Sequence, residues 1–134
     1  VNLSQLQYAS LLAGIVIAQA GTGLVHAMGY PLTCHKGIPH GRANGILLAG
    51  YMDYMSDACE QLTQRLFKAA SLQGPDELQA LVDQLLETLH CSREAPTEEE
   101  LLRFSHDPLR LELVQRYRTM PSTENVMDIY RTGF

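Results

Sequence analysis

Apolar residues recur along this chain at intervals of three and four, and nowhere alternate over a useful length, so the pattern predicts helices without strands. Ser4 is expected to cap a first helix running towards Ala20. Gly21 and Gly23 should break it before a second helix that carries Leu24, Val25 and Met28. Pro31 should end that second helix, because proline lacks a donor and restricts Tyr30 before it. A loop from Thr33 to Ile38 is expected next, with Pro39 opening a third helix that carries Ile46, Leu47, Leu48 and Tyr51 to about Tyr54.

The second half has the same grammar. Ser56 or Asp57 should open a helix with Leu62, Leu66 and Phe67 on its apolar face. Gly74 marks its exit, and Pro75-Asp76-Glu77 has the acidic first turn that favours a new start. Leu78, Leu81, Val82, Leu85, Leu86 and Leu89 then recur at helical spacing. Thr97 with Glu100 has the form of a capping box. Pro108 should start a segment with Leu109, Leu111, Leu113 and Val114, and Ser122 or Thr123 the last helix.

Composition narrows the class. A chain of 134 residues with 46% hydrophobic content can bury a sizeable core as a single all-α domain over residues 1–134. A net charge of -5, with ten scattered basic residues, argues against a nucleic-acid partner. Cys34, Cys59 and Cys91 are an odd number without C-x-x-C spacing, so neither a disulfide framework nor a thiolate zinc site is indicated, which suits a reducing cytoplasm. Cys34 reads as a small buried hydrophobe rather than a redox-sensitive thiol. Residues Tyr8 to Met28 approach the length of a bilayer crossing, but Gln19, Gly21, Thr22, Gly23 and His26 interrupt the run and no Lys or Arg flanks it. A wholly buried helix pair and no membrane contact are therefore expected.

The candidate chemistry lies between Gly23 and Leu47, where His26 and His40 stand among small and apolar residues. Neutral imidazole is a favoured ligand for iron, zinc, copper and nickel. Spacing alone leaves two readings open: half of a metal site, or two core histidines bonded to backbone carbonyls. The expected geometry puts His26 in the last turns of one helix and His40 in the first turn of the next, whose positive potential keeps its imidazole neutral. Gly41, Ala43 and Gly45 are small enough for close approach by a helix or ligand; Gly29 offers the same beside His26, although its simplest role is loosening the helix end. Gly37 and Gly41 need no more than a tight turn to justify them.

The wording Gly23-Leu-Val-His-Ala-Met28, then Pro31-Leu32, then Ile38-Pro-His-Gly41 with Ala43-Asn44, closely resembles the C-terminal signature of the iron-containing (group III) alcohol dehydrogenases. Tyr8-Ala-Ser-Leu-Leu-Ala-Gly14 is similar to the family's helix ahead of the ligands, and Met120 to Tyr130 to its terminal helix. The resemblance implies the multi-helix C-terminal domain of dehydroquinate synthase-like and iron-dependent alcohol dehydrogenases. In that family an aspartate and three histidines hold the metal, and the last two histidines map onto His26 and His40. The first two ligands and the nucleotide-binding domain lie upstream of what is seen here. No Asp precedes Asp53 and no G-x-G-x-x-G run occurs, and the start at Val1 rather than Met is expected of a processed or truncated piece.

The implied chemistry is NAD(P)-linked alcohol oxidation or aldehyde reduction, with Fe²⁺ (or Zn²⁺) as the Lewis acid and hydride passing to or from a nicotinamide. The implied partners are a small alcohol or aldehyde, the chain's own N-terminal nucleotide-binding domain, and further copies in a homo-oligomer. The isolated domain is expected to bind metal weakly and to be inactive. Tyr30 departs from the family, many members of which carry another histidine there. It is a substrate-side candidate at i+4 from His26, against the plainer alternative of packing on the loop. His35 is a candidate to supply the displaced imidazole, while His90 and His106 read as structural or exposed. The competing class is a non-catalytic helical interaction or structural domain derived from the same scaffold.

Overall fold

A computed structural model describes residues 2–90, 94–115 and 120–134; the start at Val1 and the thiol of Cys91 lie outside them. Among the described residues the regular structure is helix alone: α1 (Leu3–Ala20), α2 (Leu24–Lys36), α3 (His40–Ala58), α4 (Glu60–Ala70), α5 (Pro75–Thr88), α6 (Glu98–Arg110), α7 (Glu112–Gln115) and α8 (Thr123–Gly133). Local chemistry sets most of the ends. Thr97 and Ser122 each complete a capping box, with Glu100 and Asn125. Pro75 fills the first turn of α5. Gly37, at φ 65°, closes α2 in the left-handed conformation, and the Ile38 N–H donates back to the Leu32 carbonyl at 3.3 Å. The first helix is capped by Asn2 rather than Ser4: Asn2 Oδ1 accepts from the Ser4 N–H at 3.0 Å.

Both internal prolines sit inside helices they were expected to bound. In α2, Pro31 leaves the Ala27 carbonyl without its usual donor, a defect of about 3 kcal/mol in an unsupported helix. Side-chain hydroxyls reinforce the same turn: Tyr130 donates to the Met28 carbonyl at 2.7 Å and Thr33 to the Gly29 carbonyl at 2.9 Å. Pro108 lies in the last turn of α6, and the break falls instead at Leu111, which is extended. Similarly α3 continues past Tyr54 to Ala58, so that α4 starts at Glu60 rather than Ser56 or Asp57. Buried Thr63 spans that joint, its hydroxyl 2.9 Å from the Met55 carbonyl and 3.1 Å from the Cys59 carbonyl.

Helix α3 is the hub, packing on α2, α4, α5 and α8, while α6 packs on α2, α7 and α8. The core is built from Leu24, Met28 and Leu32 of α2, Ile46 and Leu47 of α3, Leu101 and Phe104 of α6, and Val126, Ile129 and Tyr130 of α8. Helices α3 and α8 meet at two glycines. A Cβ on Gly133 would stand 2.9 Å from the Ile46 carbonyl oxygen, and one on Gly50 3.0 Å from that of Ile129. Lys36 pairs with Glu100 at 2.8 Å, joining the end of α2 to the start of α6.

The expectation of a wholly buried first helix pair does not hold. The α2 half is core, but among the described residues α1 has no buried residue and touches no other helix. It is also long and apolar enough, by length and composition, to cross a bilayer. On α4 and α5, Phe67 and Leu86 are buried, whereas Leu62, Leu66, Leu81 and Leu85 remain exposed, as does Leu89 just past the end of α5. Apolar periodicity identified the helical faces without distinguishing those that meet a neighbour.

Candidate metal centre

Because α2 begins at Leu24 and runs through Pro31, His26 lies in its first turn, not its last. His40 is the first residue of α3, so each imidazole sits near a helix N-terminus. On α2 the positions of His26, Gly29, Tyr30 and Thr33 share one face; on α3 those of His40 and Asn44 do. The turn at Gly37 and Pro39 folds these two faces together.

The two rings meet nearly edge to face, centroids 4.5 Å apart. His40 Nε2 is 3.3 Å from His26 Nδ1 and 3.4 Å from His26 Nε2. Tyr30 closes the group: its hydroxyl is 3.0 Å from His26 Nε2, and its ring stacks on His40 at 4.9 Å. It therefore packs on the imidazoles rather than on the loop. Its side chain is 48% exposed and also lines an open groove of about 230 Å³ with Pro31, Cys34, His35, Pro108 and Leu111. The Asn44 amide nitrogen lies 3.5 Å from His26 Nδ1 and 3.4 Å from His40 Nε2, while Asn44 Oδ1 is buried without a hydrogen-bond partner.

Electrostatics favour a neutral His26: burial, and then the facing His40, push its pKa below the ordinary histidine value. Neutral nitrogens facing one another form a donor pair suited to a shared cation. Among the described residues, no group of three or more His, Cys, Asp or Glu side chains is placed to hold an ion, so the pair is at most part of a donor set.

The other candidates lie elsewhere. The His35 ring stacks on Phe104 at 5.4 Å and does not supply the imidazole absent at Tyr30. Cys34 is exposed rather than buried, as is Cys59. His90 and His106 are exposed. Gly41 and Gly45 face open space where a Cβ would stand. The close approach occurs at Gly29, whose Cβ would overlap Asn44 Oδ1 and stand 3.3 Å from His40 Cε1. Thr33 and Asn44 thus join the cluster without having been singled out in the sequence, whereas close approach at Gly29 was the lesser of the two roles considered for it. The signal for all three was spacing: i+3 and i+7 from His26, and i+4 from His40.

The pattern of the Fe-containing alcohol dehydrogenase family, C-terminal, matches residues 3–107. The chain belongs to this family. It is similar to a long-chain-alcohol dehydrogenase of Geobacillus thermodenitrificans, 38% identical over 60 residues that make up 45% of the chain and 15% of the relative. It also resembles the 4-hydroxybutyrate dehydrogenase of Clostridium kluyveri, 27% identical over 130 residues, covering 89% of the chain and 35% of that enzyme. In three dimensions it matches the crystal structure of an iron-containing alcohol dehydrogenase with a TM-score of 0.75 and 31% identity, over 94% of this chain and 33% of that one. The chain thus spans about a third or less of the length of these relatives. The all-helical architecture is that of the matching part of the solved enzyme.

Proposed function

We propose that this chain is the helical, metal-holding part of an NAD(P)-linked alcohol dehydrogenase, with His26 and His40 as two of the ligands. The observation that carries the proposal is the 3.3–3.4 Å separation between His40 Nε2 and the nitrogens of His26. Two imidazole nitrogens bound at about 2.0–2.1 Å to one tetrahedral ion stand about 3.3–3.4 Å apart. Iron is the first choice of ion and zinc the second, because imidazole suits both. When bound, the ion supplies Lewis-acid polarisation of the substrate oxygen during hydride exchange with a nicotinamide.

This chain's own residues orient and shape. Asn44 and Thr33 steady the two rings, and Tyr30 stands between them and the groove, where it can donate a hydrogen bond to a small alcohol or aldehyde. The remaining ligands, the nicotinamide site and the choice of NAD or NADP would belong to an N-terminal nucleotide-binding domain, for which the relatives' greater length leaves room. That domain is a natural partner for α1, whose apolar surface meets no other helix among the described residues. Assembly into homo-oligomers and a cytoplasmic location accompany this reading.

Equilibrium dialysis against Fe²⁺ or Zn²⁺ tests the site. One ion per chain is expected, held weakly and lost in His26→Ala and His40→Ala alike; uptake that survives both substitutions would contradict the assignment. Assayed alone with NADH or NADPH and aldehydes, the chain should show no turnover. Measurable turnover would show that the site needs no further ligands or domain.

A further inference from the structure

The Thr33 hydroxyl donates to the Gly29 carbonyl at 2.9 Å, an oxygen that can only accept. The same hydroxyl oxygen lies 3.4 Å from His40 Nδ1. With its single hydrogen directed at Gly29, Oγ1 can meet that nitrogen only as an acceptor. The contact is attractive when Nδ1 carries the ring hydrogen. A neutral His40 then has its lone pair on Nε2, the nitrogen that faces His26. The Asn44 amide nitrogen, which can only donate, stands 3.4 Å from that same Nε2. Two neighbours on opposite sides of the ring therefore select one tautomer.

We propose that Thr33 is a positioning residue that holds His40 as the Nδ1–H tautomer and so keeps Nε2 open towards His26. The hydroxyl also ties the ring to the turn of α2 that contains Pro31, fixing ring orientation relative to His26. The tautomer follows from hydrogen bonding alone, whereas its value for holding an ion rests on the function proposed above. Partners of this kind, one bond behind a ligand, typically change metal affinity 10- to 100-fold when removed (roughly).

The test uses the full chain labelled with ¹⁵N-histidine, free of metal, at a pH where histidine is neutral. The wild-type His40 should show a protonated Nδ1 and a bare Nε2. Thr33→Val should move it towards the Nε2–H form that free imidazole prefers and weaken Zn²⁺ binding by about tenfold or more. Thr33→Ser, which keeps the hydroxyl, should restore both. A wild-type His40 found as Nε2–H would overturn the proposal without recourse to any variant, as would a tautomer unchanged in a folded Thr33→Val chain. If the tautomer follows the hydroxyl but no chain takes up Zn²⁺, the positioning role stands and the metal reading fails.

Discussion

Replacing Gly29 with alanine separates two opposed effects. In a helix with free space around it, glycine to alanine is stabilising by about 1 kcal/mol. At Gly29 the added methyl would overlap Asn44 Oδ1 and stand 3.2 Å from Asn44 Cγ and 3.3 Å from His40 Cε1. The carboxamide would have to swing aside, giving up its contacts to both imidazoles, and overpacking of this kind costs about 1–3 kcal/mol. The expected net effect is a destabilisation of about 0–2 kcal/mol, a fall in Tm of up to several degrees for a chain of this size. Gly45→Ala is the matched control, since a Cβ there meets nothing within 4 Å; it should be neutral or stabilising by up to about 1 kcal/mol. Thermal unfolding followed by circular dichroism gives the stabilities, and histidine ¹⁵N spectra report the ring environment. If Gly29→Ala were as stable as Gly45→Ala, with His40 signals unmoved, the notch that seats Asn44 would have no structural role.

Two further outcomes test the supports of the site. Tyr130→Phe removes the 2.7 Å bond to the Met28 carbonyl beside Pro31, and should cost about 1–2 kcal/mol, read as a lower urea midpoint at unchanged slope. Glu100 is held below the ordinary carboxylate range first by Lys36 and then by the Thr97 backbone N–H. Its contribution is therefore fully present above the unfolded glutamate value and lost as pH falls through the lower folded value. Glu100→Gln should remove that part of the pH dependence in urea midpoints measured from about pH 3 to 6.

The features legible in the sequence were those carried by local chemistry. Thr97 with Glu100, Ser122, Pro75 and Gly37 act on backbone groups within a turn of themselves, and each sits where its residue type requires. Spacing alone left the histidine pair open between two readings; the resemblance of Gly23 to Leu47 to the family signature singled out both rings, while the turn of α2 that carries His26 was misplaced. Features decided from a distance were not. Pro31 is carried through α2 by a turn that Tyr130 reinforces from 102 residues beyond Met28, and no rule confined to neighbours of Pro31 includes that bond. The apolar run of α1 showed that the helix has surface to bury, but not what would cover it. Gly29, Gly41 and Gly45 look alike on paper; only the approach of Asn44 distinguishes the first.

The most direct test of the central claim is X-ray absorption on the chain loaded with one Zn²⁺. Two imidazole nitrogens are expected at about 2.0–2.1 Å, with no histidine-bound ion left in either His26→Ala or His40→Ala. An ion bound without histidine scattering, or one whose imidazole count ignores either substitution, would contradict the claim.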